Sequence, residues 1–323
     1  MRHISSFVNK VLVSAILGTL LAAATFAQAG LVRAVDFDND GKADFTVYRP
    51  TDQNWYALKS AGGVLISNWG LPNTDFPVPG DYDGDGKADV AVYRDTTGVW
   101  YIINSATNTV TITAWGAAGG DEPVGRDYDG DGKTDICVVR RSNNIMVWYA
   151  IRSTDGGVNI TQWGASGDYT APGDFDGDGK YDIGIQRPGA TPTSPAIFYV
   201  LESTGGVAIT GWGQGNNDIF VPGDYDGDGK TDVAIVREGT TAGSPLTWFI
   251  LNSSNGSVYI AQWGSTGDDL AVQNDYDGDH KTDITIWRNS TGAFWVLQSS
   301  NGQPYGASWG APNDFPIPAY DSH

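Results

Sequence analysis

Four aspartates stand at positions 1, 3, 5 and 9 of the run Asp81-Tyr82-Asp83-Gly84-Asp85-Gly86-Lys87-Ala88-Asp89. Side chains two residues apart in a tightly turning loop converge on one point. Hard carboxylate oxygens gathered this way suit calcium, which takes about six to eight oxygen ligands, here with the backbone carbonyl of position 7 joining the side chains. Glycine at position 6 permits the positive φ of a sharp turn. Without a cation, four carboxylates this close repel one another. Near-copies begin at Asp36, Asp127, Asp174, Asp224 and Asp275. The candidate metal ligands are therefore Asp36, Asp38, Asp40, Lys42 and Asp44 in the first loop, and Asp81, Asp83, Asp85, Lys87 and Asp89 in the second. Asp127, Asp129, Asp131, Lys133 and Asp135 form the third set, and Asp174, Asp176, Asp178, Lys180 and Asp182 the fourth. Asp224, Asp226, Asp228, Lys230 and Asp232 form the fifth, and Asp275, Asp277, Asp279, Lys281 and Asp283 the sixth. The lysines enter through their backbone carbonyls. The sixth loop departs from the pattern with His280 in place of the position-6 glycine. An EF-hand would need Glu at position 12 and a helix on each side. Position 12 counted from Asp81 is Val92, and Val90-Ala91-Val92-Tyr93 is a run of strand formers.

The elements that must position these loops follow from their spacing. First aspartates recur at intervals of 45, 46, 47, 50 and 51 residues, the period of a propeller blade. After each loop comes a β-run ending in Arg49, Arg94, Arg140, Arg187, Arg237 or Arg288. An aromatic-led strand follows, starting at Trp55, Trp100, Trp148, Phe198, Trp248 and Phe294, and then a strand ending in Trp-Gly at Trp69, Trp115, Trp163, Trp212, Trp263 and Trp309. A short segment such as Phe76-Pro77-Val78-Pro79-Gly80 leads into the next loop. Four short strands per repeat, with Gly, Asn or Asp turns and no helical periodicity, predict an all-β fold, a β-propeller of six four-stranded blades. The acidic loops then join strands 1 and 2 of each blade. Length variation is confined to the connection from Arg to aromatic, which runs 6, 6, 8, 11, 11 and 6 residues. That connection joins strands 2 and 3 and so lies on the opposite face. Ring closure has two candidates for the inner strand of the first blade, Leu31 to Val35 and the segment from Phe315 to Asp321.

Composition bounds the function. Arg2 and Lys10, the uncharged apolar run from Val11 to Phe26, and Ala27-Gln28-Ala29 read as a secretory signal peptide over residues 1–29, leaving 30–323 as one propeller domain. Removing Arg2 and Lys10 takes the net charge from -19 to -21, and 24 of the 38 acids sit in the six loops. The acidity thus reports ion binding and argues against nucleic acid or anionic membrane partners. The sole cysteine, Cys137, excludes an intramolecular disulfide framework and reads as a buried strand residue. Only His280 and His323 follow the signal segment, which argues against a His-based triad or zinc site.

The run Val78-Pro79-Gly80-Asp81-Tyr82-Asp83-Gly84-Asp85-Gly86-Lys87-Ala88-Asp89-Val90 resembles the FG-GAP, or VCBS, repeat of integrin alpha-chain propellers and of many exported bacterial repeat proteins. The resemblance extends over the chain after residue 29. It implies that aspartates at loop positions 1, 3, 5 and 9 bind calcium, up to six ions. Integrin propellers have seven blades, whereas six repeats are present here. The resemblance also implies a binding or adhesion module. The expectation is a secreted or cell-surface, non-enzymatic propeller that binds an extracellular glycan or protein, with no insertion into the membrane once the signal is removed. A polysaccharide-degrading hydrolase or lyase, and a structural cell-surface component, are the alternatives. The recurrent tryptophans and arginines read as packing and scaffold bonds. Trp287, whose matching positions hold Tyr48, Tyr93, Val139, Gln186 and Val236, is a candidate for a unique ligand contact.

Overall fold

The computed structural model describes residues 34–215 and 218–317. The signal segment lies outside them, as do Leu31 to Arg33 and the chain end from Pro318. The described residues form six four-stranded antiparallel sheets arranged as a β-propeller, with no α-helix among them. In blade 2 the strands run outwards as Asp75–Pro77, Val90–Arg94, Val99–Ile103 and Val110–Ala114. Each blade repeats this order; in blades 2 to 6 the Asp loop joins the first two strands, and in all six the loop after Arg joins the second and third, on opposite faces of the disc.

Ring closure is settled by register. Phe315–Pro316 pairs with Phe45–Arg49, Phe315 opposite Tyr48 and Pro316 opposite Val47. The end of the chain therefore supplies the inner strand of blade 1. Val35 does not compete for that place, because it sits at the mouth of the Asp loop, where its carbonyl accepts from the Asp44 amide at 3.0 Å.

The repeated residues hold blades together. Each Trp-Gly tryptophan donates its indole N–H to the third strand of the next blade: Trp69 to the Tyr101 carbonyl, Trp115 to Tyr149, and so round to Trp309 donating to Tyr56, at 3.0–3.2 Å. A large apolar body with one polar tip suits that place. The third-strand aromatics Trp55, Trp100, Trp148, Phe198, Trp248 and Phe294 are buried between sheets. Cys137 is buried as expected.

In blades 4 and 5 the strands run past the expected Trp-Gly boundary, as Val207–Gln214 and Val258–Ser265. The insertions explain this. Pro195 pairs with Gln214 and Pro245 with Ser265, each across a register shift, so the longer loop gives the outer strand a partner beyond the end seen in blade 2.

Candidate functional site

The Asp loops owe their shape to their own carboxylates. Asp81 accepts from the Gly84 and Gly86 amides at 2.6 and 2.9 Å, while Asp89 reaches back to the Tyr82 amide at 2.9 Å. Gly84 and Gly86 have φ of 84° and 86°. Asn39 at position 4 and His280 at position 6 take the same left-handed conformation, with φ of 63° and 68°. The His280 amide donates to Asp275 at 2.9 Å, just as Gly86 does to Asp81, so the sixth loop keeps its backbone path despite the missing glycine.

A serine absent from the sequence reading completes each loop. The turn between strands 3 and 4 folds over it, and Ser60, Ser105, Ser153, Ser203, Ser253 and Ser299 donate their amides to the position-9 aspartate at 2.6–2.7 Å. Their hydroxyls donate to the position-5 aspartate at 2.6–3.0 Å. The signal was there: this serine always lies five residues after the third-strand aromatic.

Neighbouring loops are also wired together. The position-8 amide of each loop donates to the position-1 carbonyl of the loop before it: Ala88 to Asp36, Thr134 to Asp81, Tyr181 to Asp127, Thr231 to Asp174, Thr282 to Asp224 and Ala43 to Asp275, at 2.7–2.8 Å. The position-7 lysine explains itself here. A Cβ on Gly84 would meet the aliphatic stem of Lys133, and one on Gly278 would meet Lys42, whose ammonium donates to the Asp277 carbonyl at 2.9 Å. Six loops thus form one hydrogen-bonded annulus.

Burial raises the pKa values of these carboxyls. Desolvation pushes Asp44, Asp182 and Asp283 up to about 7 and Asp89, Asp135 and Asp232 to about 6, against the pull of backbone donors. The clusters Asp36, Asp38 and Asp40, then Asp81, Asp83 and Asp85, then Asp127, Asp129 and Asp131, bring carboxylate oxygens within 4.8 Å of one another and could hold a metal ion. So could Asp174, Asp176 and Asp182, and Asp224, Asp226 and Asp232. The donor set fits a hard cation. Asp38 Oδ1 and Asp226 Oδ1, both at position 3, are buried without any hydrogen-bond partner, which leaves a lone pair for an ion.

On the opposite face the arginines are scaffold. Each pairs two-pronged with a buried inner-strand aspartate: Arg94 with Asp75, Arg140 with Asp121, Arg187 with Asp168, Arg237 with Asp218 and Arg288 with Asp269, at 2.6–2.9 Å. Arg49 pairs with Asp314 at 2.7 and 2.8 Å and so locks the ring closed. In five blades the guanidinium also lies over a third-strand ring, such as Tyr101 at 4.4 Å from Arg94. Trp287 is not a ligand contact: it is fully buried beside Val47, Val272 and Phe294, because its strand faces the interblade core.

The same face opens into a chamber of about 890 Å³ at the axis, walled by the inner strands of blades 2 to 5. Its wall residues Phe76, Glu122, Tyr169 and Ile219 hold one register position, opposite Tyr93, Val139, Gln186 and Val236. Blade 3 places the only acid in that row. Glu122 accepts from the Arg141 guanidinium and the Thr170 hydroxyl. Gln186, at 2% exposure, also lines the chamber, and its amide nitrogen has no partner. Nothing in the loop periodicity singles out these residues. The insertions of blades 4 and 5 stand on this face without lining the chamber.

Fold and loops together define a six-bladed propeller with an acidic annulus on one face and a divergent opposite face. The family model "FG-GAP-like repeat" matches residues 36–92 and 127–185. No curated protein matches the sequence. Among solved structures, TolB from Acinetobacter baumannii is similar with a TM-score of 0.56 at 16% identity, over 85% of this chain and 66% of that one. The chain therefore spans just under two thirds of TolB. An Agrocybe aegerita lectin that recognises non-reducing terminal N-acetylglucosamine aligns with a TM-score of 0.47 at 13% identity, over 84% and 91% of the two chains. An oligogalacturonate lyase in complex with manganese aligns at 0.49 and 10%, over 85% and 76%. At these identities the TolB likeness shows the propeller fold alone, and the two weaker alignments carry no argument. No helix among the described residues is long and apolar enough to cross a membrane.

Proposed function

We propose that this protein is an exported, calcium-binding propeller that serves as a non-enzymatic binding module for an extracellular glycan or protein, taking its ligand on the face opposite the Asp loops. The carrying observation is the segregation of divergence. The Asp-loop face repeats the same hydrogen bonds in every blade, whereas both insertions and the chamber lie on the other face. Calcium, when bound at loop positions 1, 3, 5 and 9, supplies the charge that offsets the clustered carboxylates and ties the loop of strands 1 and 2 to its serine cap. The export reading rests on the basic and apolar segment of residues 1–29.

Blocking one face at a time tests the reading. Cys137 is buried, so an introduced surface thiol can be labelled alone. Gly167→Cys places one at the chamber mouth, where a Cβ meets nothing within 4 Å, and Ala106→Cys places one on the exposed Asp-loop face. Attachment of a bulky polymer at 167 abolishes binding to glycan arrays or immobilised envelope proteins, while attachment at 106 spares it. The reverse result would overturn the assignment of faces.

A further inference from the structure

Building on that reading, we infer that the axial chamber is a binding site for a neutral oligosaccharide, held by Gln186, Glu122 and Arg141 against the rings of Phe76 and Tyr169. The polar groups dictate the class. Glu122 offers carboxylate oxygens to the Arg141 guanidinium and the Thr170 hydroxyl, and the Arg141 guanidinium also donates to the Asp168 carbonyl at 3.3 Å. Beside them Gln186 lines the chamber, and its buried amide nitrogen has no hydrogen-bond partner in the protein. Donors and acceptors side by side in one wall suit groups that both donate and accept, and hydroxyls do so.

Charge excludes the anionic alternatives. The wall aspartates Asp121, Asp168 and Asp218 are each neutralised by an arginine of their own blade, and Glu122 by Arg141. Asp95 remains at the mouth, accepting only from the Gly120 amide at 3.2 Å among the side-chain bonds at this site. The chamber is thus neutral to negative on a chain of net charge -19, which repels sulfated or uronate ligands.

The apolar part suits a sugar's C–H face. Phe76 and Tyr169 are each 44% exposed, high for large rings, and both line the chamber. At about 890 Å³ the space lies within the usual range for a small-ligand cleft, roughly 300–1,000 Å³. Gln186 is what sets this site apart. The matching residues Tyr48, Tyr93 and Trp287 also bury a polar atom without a partner, but none of the three lines the chamber.

The test is a glycan array of neutral and uronate or sulfated oligosaccharides probed with the calcium-supplemented full chain, followed by titration calorimetry with the strongest neutral oligosaccharide. Gln186→Val, which installs the residue of blades 3 and 5, and Tyr169→Ala each weaken that affinity by about tenfold or more, with melting checked for both. Phe76→Ala replaces either variant that fails to fold. Neutral binding that survives all these substitutions within twofold overturns the chamber assignment and leaves the face assignment standing. Binding confined to acidic oligosaccharides overturns the ligand class. An array that stays blank while an envelope protein binds at the Gly167 face overturns the sugar and retains the binding module. A blank array with no protein ligand overturns both.

Discussion

The two faces of the disc use the same residue type, buried aspartate, in opposite ways. On one face Asp75, Asp121, Asp168, Asp218, Asp269 and Asp314 each meet an arginine inside the protein. On the other, eleven of the twelve position-1 and position-9 aspartates, all but Asp127, are as deeply buried but meet amides, hydroxyls and one another. A carboxylate paired internally is a finished scaffold contact. One that is buried among others of like charge is left uncompensated by the chain, and a proton or a cation can relieve it. The difference teaches that the charge of the acidic annulus depends on what the solution supplies, whereas the Arg–Asp face is balanced within the chain.

The largest expected effect comes from breaking this contrast with a chelator. Ions that bind only the folded chain add RT ln(1 + [L]/Kd) per site, about 2.7 kcal/mol each at a hundredfold excess over Kd. Thermal melts in millimolar calcium and in EGTA differ by tens of degrees if several loops fill. Because backbone bonds run from loop to loop round the annulus, release is expected to be cooperative when followed by calorimetry. A melting temperature indifferent to EGTA would falsify the metal assignment.

Acidity sharpens the comparison at a smaller scale. The position-9 carboxyls, raised to about 6 or 7 by burial, bind protons in the native state where the unfolded chain has already lost them. Stability of the chelated protein therefore falls as pH rises from about 4 through 7, the unfolded and folded ends of that window. Calcium competes with those protons and reverses the trend, so the loaded protein gains stability over the same range. Melts at pH 5 and 7.5, with and without EGTA, give four values whose order checks the sign. The Arg–Asp pairs contribute little to this order, since their arginines stay charged throughout.

Much of this was legible in the chain. Loop spacing gave blade number, strand order and the opposition of the two faces, because each repeat must satisfy the same packing and any deviation shows against five copies. The serine caps could be read from a fixed offset behind the aromatic, and the inner-strand aspartates from a separation of 19 residues ahead of Arg94, Arg140, Arg187, Arg237 and Arg288. Ring closure could not, since Val35 and Phe315 both fit by alignment and only backbone pairing distinguishes them. The chamber was illegible for the opposite reason. It is made by departures, Glu122, Arg141 and Gln186, whose joint meaning depends on blades 3 and 4 meeting at the axis. Trp287 shows the converse error: a departure from the repeat that simply fills the core.

Gln186 gives the finest test of the contrast, through stability rather than binding. A buried amide nitrogen without a partner costs about 1–3 kcal/mol relative to one that is paired. Gln186→Val removes that cost at a position where blades 3 and 5 already carry valine, at the expense of some packing volume. The net expected change in the ligand-free protein is a gain of about 1 kcal/mol, read as a rise of a few degrees in melting temperature. Asp89→Asn on the other face makes an equally small change in shape and lowers stability in calcium, because that carboxylate completes its loop. A variant that melts higher while losing its ligand would mark Gln186 as retained for recognition. If Gln186→Val instead melts several degrees lower, the amide is a structural group, and the chamber loses the feature that distinguishes it from the scaffold around it.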